Sequence, residues 1–378
     1  MRGSDICLSI PLVGDEEKVA LCEVIDSGWL STGAKVEAFE SAFAAMHSQK
    51  NAVALNSCTA ALHLILRAFD IGPGDEVLVP SLTFVATSNA VLYVGATPVF
   101  LDIESLERPL LSLEEAEAKL SPKTKAVIVM HYGGYIVDLQ RWREFCDRRS
   151  IRLIEDAAHA PALPGVGRLS DASAFSFFAN KNMSTAEGGM VLSPDEDALR
   201  NIRRLRGHGM TTDTLVRHRG HAYSYDVTAL GYNYRLDELR AAVGLAQLRH
   251  VVEWNRRRND LSLEYRRRLA SDIPAVRVPF DDTHTTAAHL MPVLLPDNGR
   301  REEVMHNLRG SGIQCSIHYP PIHRFSYYRG LFPDVVLPKT EEYCRRELSL
   351  PLHPSLTEKD VVRVVTSLGA ALPEKDQA

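Results

Sequence analysis

The chain has few cysteines, and none of them form a closely spaced pair. The 378 residues contain six, with no CxxC motif: Cys7, Cys22, Cys58, Cys146, Cys315 and Cys344. A disulfide-stapled fold or a cysteine zinc site needs such pairs, so both are disfavoured and we predict no metal site. The same scatter suits a reducing compartment, and we therefore expect a cytoplasmic protein.

The sequence also lacks a long apolar run and a strong excess of one charge. No stretch of about 18 apolar residues could span a bilayer, and the N-terminus has no apolar segment typical of a secretory signal. Because 43 basic residues nearly balance 48 acidic ones, we predict no membrane and no nucleic-acid partner. Local arginine clusters, either solvated helix faces or contacts for a phosphorylated substrate, occur in NIRRLRGHG, NRRR and YRRRL.

Strand and helix patterns alternate through the first 200 residues. One helical face is marked by apolar residues three and four apart, at Leu62, Ile65, Leu66 and Phe69. Continuous apolar segments, typical of strands buried on both faces, are EVLVP, TPVFLDI, TKAVIVMHY, IRLIED, ASAFSFF and GGMVLS. This alternation predicts an α/β fold with a mostly parallel central sheet covered by helices.

The pattern changes after about residue 235. A largely helical stretch over 235–270 precedes strand, helix–strand and helix patterns in AAHLMPVLLP, REEVMHNLRGSGIQCSIHY and TEKDVVRVVTSLGAAL. With 45% hydrophobic residues, a chain of this length can bury more than one core. We predict an N-terminal segment and large domain over 1–245, then a connecting helix and small C-terminal α/β domain over 246–378.

Polar residues stand just past the ends of several predicted strands, where ligands of parallel sheets bind. They include Asp102, Asp156 and His159, while Lys181 follows Ser176 by five residues. A lysine, a strand-end carboxylate and a hydroxyl are what pyridoxal 5'-phosphate needs. The lysine bonds the aldehyde, the carboxylate keeps the pyridine nitrogen protonated and the hydroxyl holds the phosphate. A solvated lysine and an ordinary turn aspartate are the structural alternatives.

Seven segments together resemble one enzyme family. In chain order, from about residue 27 to 323, they are SGWLSTGAKVEAFESAFA, NSCTAALHL, GPGDEVLVPSLTFVATSNAVLYVGATPVFLDIE, IEDAAHA, FSFFANKNMSTAEGGMV, GYNYRLDELRAAVGLAQL and IHYPPIH. The set is similar to the DegT/DnrJ/EryC1/StrS sugar aminotransferases. The resemblance implies a fold-type I pyridoxal-phosphate-dependent transferase, a homodimer with active sites at the interface. It also implies amino transfer from glutamate or glutamine to a keto group on a nucleotide-linked sugar or a cyclitol.

The resemblance gives roles to three catalytic candidates by position. Lys181 corresponds to the lysine that bonds the cofactor, and Asp156 to the partner of the pyridine nitrogen. His159 matches the residue beside the cofactor ring and its 3-hydroxyl, with a packed structural histidine as the alternative.

Further matches concern the phosphate and the ring of the cofactor. Thr59 and Ala60 stand at a helix start, where free amides and the positive dipole end hold a dianion, although a simple N-cap would look the same. Ser176 matches a phosphate-contacting serine. Phe84 matches the aromatic that stacks on the ring, with a core phenylalanine as the alternative. Asn233 corresponds to an asparagine that reaches the neighbouring subunit's phosphate, or is a turn residue.

The sequence defines the acceptor site less sharply. Tyr319 and His323 in HYPPIH match positions near the sugar in this family, although proline-rich turns produce such strings for structural reasons. Arg219 is a candidate for a substrate carboxylate or phosphate. The sequence departs from the family at Cys58 and Ala186, where glycine is frequent. A positive φ at either position would cost roughly 1 kcal/mol or more.

Three other functions compete with an aminotransferase. Sugar dehydratases of the same family carry histidine in place of the lysine, so Lys181 argues against one. A non-catalytic regulator that binds the cofactor would usually carry an added basic helix-turn-helix domain, for which the chain has no room. A binding protein for nucleotide sugars would not need Lys181 and Asp156 together. A pyridoxal-phosphate-dependent aminotransferase using L-glutamate or L-glutamine is therefore the leading hypothesis.

Overall fold

A computed structural model describes residues 5–211, 225–281, 283–297 and 299–373. Arg219, the candidate for a substrate anion, lies outside these ranges. Two helices precede the sheet, α1 (Asp15–Ser27) and α2 (Ala34–Met46). The Glu17 carboxylate accepts from the Gly14 N–H at 2.7 Å and so satisfies one free donor at the start of α1.

A seven-stranded sheet forms the centre of the N-terminal part. Its strands are β1 (Ala52–Leu55), β2 (Glu76–Pro80), β3 (Thr97–Leu101), β4 (Thr124–Met130), β5 (Arg152–Asp156), β6 (Ala172–Ser176) and β7 (Gly189–Leu192). The helices between and after them are α3 (Cys58–Ala68), α4 (Ala86–Tyr93), α5 (Leu113–Lys119), α6 (Leu139–Arg149) and α7 (Glu196–Leu205). The four residues of β1 are too few to stand out as a pattern, and the sequence did not predict this strand.

The strand order is β1-β7-β6-β5-β4-β2-β3. Within this sheet β7 pairs antiparallel with both neighbours, and the other pairs are parallel. The predicted α/β fold with a mostly parallel central sheet is therefore confirmed.

Helices cover both faces of the sheet because successive side chains of a strand point to opposite sides. Val77 and Val79 pack into a cluster with α3, α4 and α7, whereas Leu78 between them packs against α5 and α6. Burial on both sides explains why these strands are apolar without interruption.

Side-chain caps determine where several of these helices begin. Ser57 accepts a hydrogen bond from the Ala60 amide at 3.1 Å at the start of α3. Asp138 does the same for the Arg141 amide at 3.2 Å in α6, and Asp195 caps α7. Each such cap contributes about 1 kcal/mol to the helix.

Two helices occupy the stretch that the sequence predicts as one helical segment. They are α8 (Glu238–Leu248) and α9 (Val251–Asp272). Between them the amides of Arg249 and His250 donate to carbonyls three residues back, at 3.2 and 3.1 Å. This tighter turn interrupts the helix. It contains neither glycine nor proline, so no residue type in the sequence predicts the break.

The C-terminal part contains an antiparallel pair, β8 (Met291–Leu294) and β9 (Glu347–Leu350). Its helices are α10 (Arg301–Gly310), α11 (Ser326–Leu331), α12 (Pro338–Arg346) and α13 (Glu358–Ala371). The strand predicted within GIQCSIHY is wrong, because Ile313 and Ser316 form isolated bridges only. The strand that pairs with β8 is instead β9, which follows α12 directly.

A second hydrophobic cluster lies in the C-terminal part, between Leu261 and Leu372, and it also includes Ile6. The Ile6 amide donates to the Gly312 carbonyl at 2.8 Å, and the Gln314 amide donates to the Ile6 carbonyl at 2.9 Å. The N-terminal segment therefore packs on the C-terminal part. The domain boundary predicted between residues 245 and 246 stays a prediction.

Candidate active site

The ends of β5 and β6 bring the predicted catalytic residues together. Asp156 ends β5 and pairs with Ala174 of β6, two residues before Ser176. Because the two strands are parallel, the loops that carry His159 and Lys181 leave the same edge of the sheet. The Lys181 charge opposes the rise that burial causes in the pKa of Asp156 and adds to the fall that burial causes in the pKa of His159, so the three side chains share one site.

Asp156 is buried and held by two donors. Its Oδ2 accepts from the Thr87 hydroxyl at 2.7 Å, and its Oδ1 from the Ala158 amide at 3.2 Å. Because the Thr87 hydroxyl donates a hydrogen bond to Asp156, its oxygen accepts one from the Thr83 hydroxyl, 2.8 Å away. Burial raises the pKa of Asp156, opposed by the bonds from Thr87 and Ala158 and by Lys181. Sequence reasoning missed Thr87, which no spacing rule distinguishes from its neighbours on α4.

His159 is buried with its proton on Nε2. Its Nδ1 accepts from the Gly133 amide at 3.2 Å, which leaves the proton of the neutral ring on Nε2. The Tyr319 hydroxyl lies 3.0 Å from Nε2, so it accepts this bond and keeps its own proton for another partner. Burial and then the Lys181 charge hold the pKa of His159 well below its usual range, so the ring is neutral.

Lys181 is half-buried at the same edge of the sheet. Burial lowers its pKa to about 8, while Asp156 and Cys58 oppose the fall. At pH 7, roughly a tenth of such a lysine is the neutral amine, against on the order of 0.03% for an ordinary lysine. Lys181 is therefore prepared to act as a nucleophile and a base.

Two histidines that the sequence did not single out complete the surroundings of Lys181. The Asn182 amide donates to the Asn255 side chain at 2.7 Å and to the Ala287 carbonyl at 2.8 Å, so its oxygen accepts from His289 Nδ1 at 2.8 Å. Burial lowers the pKa of His289 well below its usual range. For His318, burial and Lys181 lower the pKa to about 4. Both lie more than a hundred residues from Lys181, which explains why no local motif revealed them.

The predicted phosphate site lies at the first turn of α3. The Ala60 amide already donates to Ser57, so the amides of Cys58 and Thr59 are those of this turn that have no partner inside the helix. A cavity of about 490 Å³ opens beside the turn and is lined in part by Thr59 and Arg240.

The β7 strand approaches this turn closely. A Cβ on Gly189 would lie 2.4 Å from the carbonyl carbon and oxygen of Ser57, so only glycine fits. Ser176, paired with Gly189 across the sheet, ends β6 beside it. The Ser176 oxygen accepts from the Phe178 amide at 3.3 Å, which leaves its hydroxyl proton for a ligand.

Phe84 stands at the opening of the site. Its side chain is 54% exposed, so it is not a core phenylalanine. Its ring centroid lies 5.9 Å from that of Tyr319. Stacking of Phe84 on a cofactor ring stays a prediction.

The other predicted binding residues differ in what they present to a ligand. Asn233 is exposed, and its carbonyl accepts from the Asn56 amide group at 3.3 Å. His323 is buried, with Nδ1 2.7 Å from the Ser81 hydroxyl and Nε2 3.0 Å from Glu341, so both ring nitrogens are occupied within the chain. The binding roles of Asn233, Tyr319 and His323 stay predictions.

The sequence places Asp102 among the strand-end residues of the site, but its carboxylate anchors α12. It accepts from the Lys339 amide at 3.1 Å and from the amide and hydroxyl of Thr340, both at 2.7 Å. A carboxylate at a helix N-terminus is stabilised by the free amides there.

The two departures from family glycines have different consequences. Ala186 has a φ of 67°, in the left-handed region that favours glycine. Cys58 is the first residue of α3, and its φ is not positive. The expected strain therefore applies to Ala186 alone.

Together these residues fit pyridoxal 5'-phosphate. Lys181 can bond the aldehyde, the buried Asp156 can pair with the ring nitrogen, and the close contact of Gly189 shapes the turn for the phosphate. When bound, the cofactor supplies a carrier for the amino group and a ring that withdraws electrons.

Across the described ranges, no helix is both long and apolar enough to cross a membrane. Within the same ranges, no group of three or more acidic, histidine or cysteine side chains is placed to hold a metal ion. All six cysteines are free thiols.

Comparison with known proteins supports this interpretation of the site. The chain is 38% identical over 373 residues, 95% of each chain, to the spore coat polysaccharide biosynthesis protein SpsC of Bacillus subtilis strain 168. It superposes with a TM-score of 0.89 on the PLP form of the putative sugar aminotransferase Spr1654 from Streptococcus pneumoniae (27% identity; 98% of this chain, 100% of that chain). The TM-score is 0.85 for DesI, solved in the presence of its TDP-sugar product (31% identity; 98% and 94%).

The family assignment covers nearly the whole chain. The sequence profile of the DegT/DnrJ/EryC1/StrS aminotransferase family matches residues 11–369. The site, the fold and the relatives therefore describe one enzyme class, with pyridoxal phosphate as its cofactor. The chain belongs to the DegT/DnrJ/EryC1/StrS aminotransferase family, a family of pyridoxal-phosphate-dependent sugar aminotransferases.

Proposed function

We propose that this aminotransferase takes its amino group from L-glutamate or L-glutamine and transfers it to a keto-sugar, nucleotide-linked, or to a keto-cyclitol. The observation that carries the proposal is Lys181, an amine whose pKa is about 8, in one site with the buried Asp156. The sugar class is supported by SpsC, a polysaccharide biosynthesis protein, and by DesI, which forms a TDP-sugar.

Each side chain has a distinct task in this proposal. Lys181 Nζ holds the cofactor and, once free, takes and returns the proton at the carbon that bears the amino group. Asp156 keeps the ring nitrogen protonated. Tyr319 accepts from His159, so its own proton is directed to a substrate oxygen. Phe84 covers the ring and excludes water.

The alternative functions fit the residues less well. A dehydratase of this family would carry histidine at position 181, where this chain has Lys181. A non-catalytic protein that binds nucleotide sugars or the cofactor has no use for a lysine of lowered pKa beside a buried carboxyl group. An aminotransferase uses both.

We also infer a homodimer with shared active sites. The Asn233 side chain is exposed although its backbone contacts Asn56 at the phosphate turn, so it is free to reach a second copy. Six free thiols support a reducing compartment, the cytoplasm, as the place of action.

A donor and acceptor screen tests the proposal. The purified protein is loaded with pyridoxal phosphate, and its visible absorbance is followed with L-glutamate and L-glutamine side by side. Loss of the lysine-bound band, and its return with a nucleotide-linked keto-sugar or keto-cyclitol, is expected. Efficient return with simple 2-keto acids only would refute the substrate class, and no response to any amino donor would refute the function.

A further inference from the structure

A chain of buried hydrogen bonds joins the loop that carries Lys181 to helix α9. It contains Asn182, the residue after Lys181, and Asn255 of α9, and both side chains are buried. The Asn255 amide group donates to the Pro161 carbonyl at 2.9 Å. Because a carbonyl can only accept, Pro161 fixes the direction of this amide and turns its oxygen away. That oxygen accepts from the Asn182 amide group at 2.7 Å.

A second backbone carbonyl fixes the orientation of Asn182 in the same way. The Asn182 amide group donates to the Ala287 carbonyl at 2.8 Å as well as to Asn255, which uses both of its protons. Its oxygen therefore accepts a hydrogen bond from His289 Nδ1, 2.8 Å away. Burial holds the pKa of His289 well below its usual range, so the ring is neutral and its single proton lies on Nδ1.

The His289 ring, oriented by this bond, packs against His159. The two ring centroids are 4.2 Å apart, and the rings are tilted by 40°. The His289 amide donates to the Gly133 carbonyl at 2.9 Å, and the Gly133 amide donates to His159 Nδ1 at 3.2 Å. A displacement of His289 would therefore reach His159 both through the rings and through the backbone.

Two contacts hold the backbone on either side of the Lys181 side chain. The Lys181 amide donates to the Phe178 carbonyl at 2.9 Å, and the buried Asn182 side chain anchors the next residue. A lysine side chain is long and flexible, so a fixed backbone narrows the positions that its nitrogen can reach. This matters because Lys181 is proposed to act twice, first holding the cofactor and then, once free, moving a proton.

We propose that Asn182 and His289 are positioning residues, which hold the loop of Lys181 and the ring of His159 in one rigid unit. The proposal rests on the roles proposed above for Lys181 and His159. Neither positioning residue needs to touch the substrate or to exchange a proton. Their effect falls on the step in which Lys181 moves a proton and leaves the binding of the amino donor nearly unchanged.

Two variants of the cofactor-loaded protein test this role. The probe is the rate at which L-glutamate or L-glutamine removes the lysine-bound absorbance. Asn182→Ala should slow this rate roughly ten- to hundred-fold with little change in the half-saturating donor concentration, because a misplaced base slows the reaction step. His289→Phe keeps a ring but loses the Nδ1 donor, and it should slow the rate roughly ten-fold. The double variant should be no slower than Asn182→Ala, since both act through one hydrogen bond.

Asn259→Ala is the matched control. Asn259 lies one turn after Asn255 on α9 and donates to the Thr286 carbonyl at 2.8 Å, but it bonds neither Asn182 nor His289. It should leave the rate per folded molecule unchanged, and equal slowing in Asn259→Ala and Asn182→Ala would contradict the proposal. With a donor deuterated at the carbon that loses its proton, the slowed Asn182→Ala rate should show a primary isotope effect. A slowed rate without that effect would place the defect in another step and overturn the proposal.

A second measurement needs no activity. Nitrogen-15 NMR of the cofactor-free wild type, with His289→Phe to identify the signal, should find the proton of His289 on Nδ1. Asn182→Ala should give a mixture of tautomers, and if that variant does not fold, His289→Phe and the wild-type spectrum decide. Wild-type rates in every folded variant, or a wild-type His289 with its proton on Nε2, would overturn the proposal. A wild type that reacts with neither donor would instead refute the proposed function, and the NMR result would still decide the His289 tautomer.

Discussion

At the scale of single residues, burial is the force that sets the charges of the site. It is the largest influence on the pKa values of Lys181, Asp156 and His159, lowering the first and third and raising the second. Hydrogen bonds from Thr87 and Ala158 and the lysine charge oppose this rise in the Asp156 pKa only in part. The result is an amine that is partly neutral, a carboxyl group held by donors and an uncharged imidazole, the states that this chemistry requires.

Lys181→Ala removes the group proposed to bond the cofactor covalently. The variant should still bind the cofactor, but reversibly, and transfer should fall by at least roughly a thousand-fold because the base is lost as well. Borohydride reduction of the loaded wild type, followed by peptide mapping, should mark Lys181. Lys18→Ala, on the exposed face of α1, serves as the control with full labelling. A label on another lysine would disprove the assignment.

Asp156→Asn preserves shape and removes the charge proposed to face the ring nitrogen. We expect turnover to fall by roughly a hundred-fold or more with little change in the denaturation midpoint, because the loss falls on the transition state. Asp102→Asn is the matched control at another strand end. It should lower stability, since Asp102 anchors α12, and leave turnover per folded molecule unchanged. Wild-type kcat in Asp156→Asn would remove Asp156 from the mechanism.

At the scale of elements, the site depends on how closely β7 approaches the turn between β1 and α3. The contact brings Gly189 against the backbone of Ser57, and Ser176, which pairs with Gly189, ends the neighbouring strand β6. Loop sequence alone does not require this contact; it arises because β7 lies between β1 and β6 in the sheet. The strand order thus explains why position 189 must be glycine, where a motif search would see only a turn residue.

Gly189→Ala should disturb the turn that holds the phosphate. A Cβ at 2.4 Å from Ser57 forces a backbone shift, which costs about 1–3 kcal/mol of folding stability and weakens cofactor binding. Urea denaturation and cofactor titration measure the two effects. Gly310→Ala, at the end of α10 where a Cβ meets no atom within 4 Å, should leave cofactor binding unchanged and should not lower folding stability. Equal behaviour of the two variants would contradict the close contact.

Ala186→Gly should stabilise the chain. Ala186 is exposed with a φ of 67°, so glycine relieves a strain of about 1 kcal/mol. Ala45→Gly, at an exposed position inside α2, should instead destabilise by a similar amount. Urea denaturation of both variants checks the opposite signs, and a loss of stability in Ala186→Gly would show that the strain is absent.

At the scale of the whole molecule, the site draws on segments from distant parts of the chain. Residues 156–181 supply the central groups, while His289, His318 and Tyr319 come from the C-terminal part. Asn233 is exposed near the phosphate turn and is proposed to serve a second copy. Activity therefore depends on how the two parts of the chain pack together and, in the proposed homodimer, on how two chains assemble.

Mixed dimers test the shared site. If Asn233 contacts the partner's phosphate, Asn233→Ala should weaken cofactor retention by roughly 1.5–3 kcal/mol. In a mixed dimer of Lys181→Ala and Asn233→Ala chains, one site collects both lesions and the other is intact. Co-expression should restore activity to about half of wild type per mixed dimer, above either homodimer. No recovery in verified mixed dimers, with Asn233→Ala impaired alone, would place Asn233 in its own chain's site.

The sequence by itself determined the mostly parallel sheet and the family, and it predicted the roles of Lys181 and Asp156, because these depend on local periodicity and on contiguous motifs. It could not predict Thr87, His289 or the break between α8 and α9. Those features come from contacts between residues far apart in the chain, or from a turn that no residue type signals. Only the tertiary structure decided which strand-end carboxylate belongs to the site and which one, Asp102, anchors a helix. Charge is the physical reason, since a carboxyl group's role depends on the donors and cations that the fold places around it.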